Sequence, residues 1–581
     1  MRKIQWILVM IMILSLLLPS CSSQAEIFEQ KENPMTPSPE HSPTPESRIN
    51  KGAAYFRINQ VGYRTADPKL AYLLTDESIQ PGSIQLVEVS TQQKVDFVPV
   101  VKDQGPYGEF AHLVEIQFSD FQQPGRYQLQ LGQVTSYPFE IAANVYAPLV
   151  QLSLKFFQAQ RCGDAPVSGH AACHLQDGLI RGGGQDGQTL DASGGWHDAG
   201  DYIKFSITSG YATYLLLHTV EVNPQAASAA AVLDEGEIGL DWLTKLWNAE
   251  NKQLFYQVSD EADHDDWRMP EDDQLNPRPL YPCEAGKGAN VAGKSAASMA
   301  LASQLYNQAD TPWYDVNKAA LLLDTAREIY AFGKANPGAQ PSNPSDFYTE
   351  ETWQDDMALA AIELYRATGE PAYLTDVSLW LAAVEPGSGF SWGEMGSAAY
   401  YKAALTDVSF TKDAITHLKA DLQLANDLSQ TRPFSVGIDG FHWGSAETMA
   451  SLALEAMWYE DLTGLPTYRQ MAVSQLGYVL GANPWGVSWV SGAGSNWTKN
   501  PHHQIADLIH SDLPGFWNEG ATPRSVFEED GPEELLEADE YALFQTEDAV
   551  YHDDTEDWVT NEPTITMNAI GIALTSWLTR P

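Results

Sequence analysis

Between residues 194 and 202 the chain reads Gly194-Gly195-Trp196-His197-Asp198-Ala199-Gly200-Asp201-Tyr202, with two carboxylates three residues apart among glycines and aromatic rings. Cleaving a glycosidic bond without covalent catalysis takes one carboxylate to draw a proton from water. A second, protonated carboxyl must protonate the leaving oxygen. Glycines at 194, 195 and 200 permit a tight backbone path, so Asp198 and Asp201 can point at one water. Adjacent, they also perturb one another's ionisation. A helix cap would account for one of them but not for the pair. The protonated partner must come from elsewhere, and Glu562 is the candidate. It follows the acidic, aromatic stretch Tyr551-His552-Asp553-Asp554-Thr555-Glu556-Asp557-Trp558 and opens an apolar helical segment.

A second constellation leads into the first. Cys162, Cys173, His174 and His197 offer two thiolates and two imidazoles, the donor set of a tetrahedral zinc site. Since His197 adjoins Asp198, a zinc ion there pins the carboxylate loop without touching a substrate. A Cys162–Cys173 disulfide is the rival reading in an exported chain, but it leaves both histidines unexplained. Cys283 is an unpaired thiol in either case. A third segment, Ser488 to Gln504, is glycine-rich and ends in His502, whose imidazole can donate to sugar hydroxyls. Trp443 and Trp267 are candidate stacking platforms, with a core tryptophan the alternative for each.

These loops need a scaffold. The 581 residues, 44% apolar and 11% aromatic, can bury a large core and call for two domains. With 77 acidic against 33 basic residues and a formal charge of −44, the chain repels phosphate backbones, so no nucleic acid partner is expected. The same acidity disfavours polyanionic sugars. A neutral, hydroxyl-rich substrate suits 17 tryptophans and 25 tyrosines better.

Residues 1–21 have the form of a secretory signal ending in a lipoprotein box at Cys21, and residues 22–51 form a Pro-rich tether. The expected product is an exported lipoprotein at the bacterial envelope or surface, touching membrane only through that anchor. From 52 to 143, short alternating segments predict a small β-sandwich: Leu70 to Leu74, Ile84 to Val89, Val95 to Val101, Glu109 to Phe118, Tyr127 to Leu131 and Tyr137 to Ile141. From 144 to 581 the period becomes helical. Eleven or twelve helices are expected, wound in pairs into a ring whose end loops form a cleft.

The chain resembles the family 9 glycoside hydrolases of the cellulase type that carry an N-terminal immunoglobulin-like domain, from about Phe56 to the C-terminus. The carrying motifs are Asp198-Ala199-Gly200-Asp201 and Tyr551-x-Asp553, Trp558, Glu562-x-Thr564, Asn568-Ala569. The resemblance implies a multidomain fold, an Ig-like sandwich followed by an all-α (α/α)6 barrel. It implies that Asp201 is the general base, Asp198 helps hold the water and Glu562 is the general acid of an inverting reaction on β-1,4-glucosidic bonds. Tyr551, His502, Trp443 and Trp267 would contact the sugar. Relatives of this arrangement bind zinc through residues matching Cys162, Cys173, His174 and His197. Glu351, Asp355 and Asp356 resemble a calcium-binding stretch, although acids at a helix start look the same.

Gln504 stands where the family's histidine motif usually ends in arginine, Met567 replaces an aromatic ring, and Gly515-Phe516-Trp517-Asn518 replaces a glycine-glycine-proline run. The reading is a monomeric hydrolase of cellulose, mixed-linkage glucan or cello-oligosaccharides. The alternatives are an exo-acting glucosidase or glucosaminidase on short oligosaccharides, and a glucan-binding lipoprotein with reduced catalysis.

Overall fold

The computed structural model describes residues 53–580 except Asp265, so the signal, the lipoprotein box and the tether lie outside the described residues. Residues 55–141 form two facing sheets. One orders Tyr55–Ile58, Leu70–Thr75, His112–Gln117 and Val100–Asp103; the other orders Gly62–Tyr63, Phe139–Ile141, Gly125–Leu131 and Ile84–Glu88, with Val134–Thr135 on its margin. Phe56, Leu73, Leu86, Ile116, Leu129 and Phe139 alternate inward and fill the space between the sheets. The expected strand at 95–101 is displaced. Pairing begins only at Val100, and Val98 stands 87% exposed, so this edge buries no face that would set its register.

The long helices of the rest of the chain form six pairs, five of them hairpins. Ser206–Val222 packs on Ala229–Lys245, Ala289–Tyr306 on Val316–Ala335, Gln354–Thr368 on Pro371–Leu381, Gly396–Thr406 on Thr411–Ser429, and Ser445–Thr463 on Arg469–Val479; Ile565–Trp577 pairs with Ala147–Gln160. The first-named member of each pair touches the next, closing an inner ring of six inside an outer six, an (α/α)6 barrel. Composition decides which helix goes inside. Ala289–Tyr306, rich in Ala and Ser, is buried all round, whereas Val316–Ala335 buries a single stripe. Gly396–Thr406 lies outside the helices that the period indicates. Its small residues are apolar on several sides and leave no stripe to detect.

Two features brace the mouth. The short strand Lys204–Phe205, just after Asp201, pairs with Gln253–Val258 in a small sheet that periodicity does not indicate. The sandwich and the barrel belong to one compact unit. Gln60 Oε1 accepts from the Ser495 and Asn496 amides at 2.9 and 2.7 Å, and its Nε2 donates to Gly486 O at 2.9 Å. A Cβ at Gly494, where φ is +95°, would stand 2.7 Å from the Gln60 Cβ, so this clamp requires glycine. No helix among the described residues is long and apolar enough to cross a membrane.

Candidate active site

Three segments distant in sequence knit together at the mouth of the barrel. The Ile565 amide donates to Asp198 O at 3.0 Å, the Gln504 amide to Gly200 O at 3.0 Å, and the His502 amide to Asn561 O at 3.1 Å. Asp553 joins them from the side, accepting from the Lys499 and Asn500 amides at 2.9 and 2.8 Å. Glu562 Oε1 accepts from the Gly200 amide at 3.0 Å, one residue before Asp201. A Cβ at Gly200 would fall 2.3 Å from His502 O and 3.1 Å from Glu562 Oε1. Glycine at 200 is therefore what lets the loops close.

The carboxyls differ in their surroundings. Asp198 is buried and accepts from the Thr208 hydroxyl and from Tyr348 OH at 2.5 Å. Burial raises its pKa to about 7, against those two hydrogen bonds, which lower it. Asp201 is 13% exposed at its side chain, accepts from the Ile203 amide at 2.8 Å, and pairs with His264 Nε2 at 2.9 Å. That hydrogen bond, with the Asp201 charge and against desolvation, lifts His264 to about 9 and supplies Asp201 with a cation at neutral pH. Glu562 is pushed up to about 8, first by burial and then by the Asp201 charge, while the Gly200 amide pulls the other way.

His502 and Trp267 arrive at the same place. The His502 ring lies 5.1 Å from Trp267 and 5.7 Å from Trp558, edge to face, with Nδ1 donating to Thr555 O at 2.6 Å. Trp443 stands 44% exposed one residue before Gly444, whose added Cβ would meet Glu519 Oε2 at 3.2 Å. Tyr551 does not reach the surface. It is fully buried among Trp485, Trp489 and Tyr541, so the expectation that it contacts sugar is corrected: it packs beneath the loop. Gln504 is buried, and its Oε1 accepts from the Arg268 amide at 3.3 Å. His264, Tyr348, Thr208 and Glu519 carry no sequence signal, since each meets the site only through the tertiary fold.

Cys162, Cys173, His174 and His197 are buried, with one ligand atom of each within 4.8 Å of the others. The thiols are free, and their sulfurs are 4.0 Å apart, twice the length of a disulfide bond. Around a tetrahedral zinc ion, Zn–S bonds of about 2.3 Å set sulfurs about 3.8 Å apart. The sulfur–nitrogen distances, Cys162 to His174 Nδ1 and Cys173 to His197 Nε2, are both 3.7 Å. Asp273 Oδ2 lies 3.1 Å from His174 Nε2, the outer carboxylate that orients a metal-binding imidazole. Burial drives His197 down to about 3, into the neutral form a metal binds. The four residues fit zinc.

The calcium expectation is not supported. The Lys294 ammonium lies 2.8 Å from Asp356 Oδ1 and 2.6 Å from Glu350 Oε2, all three side chains fully buried. Asp355 is turned to the Met395 amide at 2.6 Å, and Glu351 is exposed. The chain's own lysine takes the place of a cation.

A ring of paired helices with carboxyls gathered at one mouth, carrying a β-sandwich at its side, defines a class, and the comparisons specify it. Residues 146–575 match Glycosyl hydrolase family 9 and residues 51–136 match the Cellulase N-terminal ig-like domain; the chain belongs to glycosyl hydrolase family 9. It is 30% identical to Endoglucanase B of Cellulomonas fimi over 390 residues, 62% of this chain and 36% of that protein. It is 27% identical to Endoglucanase C of Cellulomonas fimi over 612 residues, 94% of this chain and 53% of that protein. The chain thus spans about a third to a half of the length of these two curated relatives. A metagenome-derived glycoside hydrolase family 9 endoglucanase has the same fold, with a TM-score of 0.74 at 25% identity, over 90% of this chain and 99% of that one.

Proposed function

We propose that the protein hydrolyses internal β-1,4-glucosidic bonds of cellulose, mixed-linkage glucan or cello-oligosaccharides with inversion at the anomeric carbon. The observation that carries this reading is the Gly200–Glu562 hydrogen bond, which ties a carboxyl from the final helical region to the loop holding Asp198 and Asp201. Asp201, partly open to solvent and oriented by His264, takes a proton from the attacking water. Asp198, held by Thr208 and Tyr348, fixes that water. Glu562, protonated at neutral pH because burial raises it to about 8, protonates the leaving oxygen. Trp267 and His502 form one wall for the sugar and Trp443 another.

Cys162, Cys173, His174 and His197 would hold zinc, which supplies cross-linking and no chemistry of the reaction. Residues 1–21 support export and attachment to the bacterial envelope through Cys21. Assay of barley glucan and cello-oligosaccharides with the intact chain and Asp201→Ala tests the whole reading: hydrolysis by the first and none by the second is expected. Equal rates, or no hydrolysis of either sugar, would dismiss it.

A further inference from the structure

Five carboxyl groups meet at the barrel mouth, and four of them have a donor: Asp201 has His264 and the Ile203 amide. Asp198 has Thr208 and Tyr348, Glu562 has the Gly200 amide, and Glu447 has the Thr566 hydroxyl at 3.1 Å. Glu519 has none among the described residues. Its backbone is fully engaged, the amide donating to Glu562 O at 3.2 Å and the carbonyl accepting from the Ala446 amide at 3.0 Å. The residue is therefore anchored through its backbone, 7% exposed, with acidic groups acting on its carboxyl: Glu447, Glu562 and Asp198. Gly444, with φ at +83°, leaves room for Oε2 beside the exposed Trp443.

Unlike the sealed, unpartnered oxygens of Glu455, those of Glu519 are open to the mouth, where a ligand that brings a donor can meet them. No lysine or arginine among the described residues acts on it, and the neighbouring carboxyls cannot all ionise together. What fits is a group that brings protons. We propose that Glu519 is a substrate-contacting specificity residue, its carboxyl accepting a hydrogen bond from a hydroxyl or ammonium group on the pyranose ring bound between Glu562 and Trp443. This rests on reading the site as a glucan-cleaving centre. Neutral and amino-substituted rings share the required chemistry, and the charge cluster distinguishes them only in strength.

The test is calorimetric binding to the Asp201→Asn chain, with Glu519 intact, Glu519→Gln or Glu519→Ala, using cellotetraose and the glucosamine tetramer. Thermal melting of each variant reports folding. Glu519→Ala is expected to weaken one or both sugars at least tenfold. If the donor is a hydroxyl, Glu519→Gln keeps most of the cellotetraose affinity, because an amide oxygen still accepts. If it is an ammonium, Glu519→Gln loses the glucosamine tetramer as fully as Glu519→Ala does. Unchanged affinity for both sugars in folded Glu519→Ala overturns the proposal. So does an effect confined to the alkaline limb of the kcat profile in the Glu519→Ala chain with Asp201 restored, which would make Glu519 a positioning residue for Glu562. Binding without hydrolysis by the intact chain removes the functional reading alone; no binding of either sugar removes both.

Discussion

Two of the clusters of buried carboxyls in the helical domain contrast sharply, and only one of the two is poised to react. In the first, Glu350 and Asp356 share the ammonium of Lys294 at 2.6 and 2.8 Å, and all three side chains are sealed from solvent. In the second, Asp198, Glu447, Glu519 and Glu562 face one another with no lysine or arginine of the described residues among them, and the nearby cation, His264, is paired with Asp201. Burial raises carboxyl pKa values in both places, yet the consequences differ. An internal counter-charge turns acidic groups into a structural staple. Leaving them without one stores a proton near neutral pH at the position where a leaving group would need it.

The contrast can be broken from either side. The largest effect should come from the reactive cluster: Glu562→Gln and Asp201→Asn should each lower kcat on cello-oligosaccharides about a hundredfold to ten-thousandfold, as measured by reducing-end release. In the staple, Lys294→Met should leave catalysis-bearing groups untouched but strand two buried acids. Breaking a buried ion pair in this way costs about 3–5 kcal/mol, read as a lower midpoint in chemical denaturation. A Lys294→Met chain as stable as the parent would mean that the staple contributes nothing. Between these lies the zinc cluster. Metal analysis should find about one zinc per chain, and Cys173→Ser or chelation should lower Tm and loosen the loop before Asp198.

The smallest effects are in pH. Because Glu562 is raised to about 8, kcat/KM should decline as pH rises through about 8, when the acid loses its proton. The stability sign follows from the same shift. In the unfolded chain this carboxyl ionises near its ordinary value of 4.5, so folding is favoured below that pH and loses this contribution as pH rises toward about 8. The amide of the Glu562→Gln variant does not titrate, so its Tm relative to the parent should climb across that window; a flat difference would contradict the burial of this group.

Motifs with local spacing are legible in the sequence, and contacts made by folding are not. Asp198 and Asp201 are three residues apart and flanked by glycine, and the zinc residues lie within 162–197, so both groups are visible along the chain. Glu562 is visible because an acid beginning an apolar helical segment stands out. His264 reaches Asp201 only because Lys204–Phe205 pairs with Gln253–Val258, a pairing of two residues with no periodic signature. Tyr348 and Glu519 come from loops, and their roles depend on which neighbours the ring of helices places beside them. The errors have similar origins. Tyr551 reads as a surface ring, but an aromatic residue in a polar loop can equally plug the core beneath it. Asp355 and Asp356 look like cation ligands because Lys294, some sixty residues earlier, cannot be seen beside them in sequence.

The central claim is that Asp201 and Glu562 act on opposite sides of one β-glucosidic bond with a water between, and the stereochemistry of the first product tests it most directly. Proton NMR during early hydrolysis of cellopentaose should show the α-anomer appearing first at the newly formed reducing ends, followed by mutarotation. Initial appearance of the β-anomer would mean a covalent intermediate and would contradict the assignment of these two residues as base and acid.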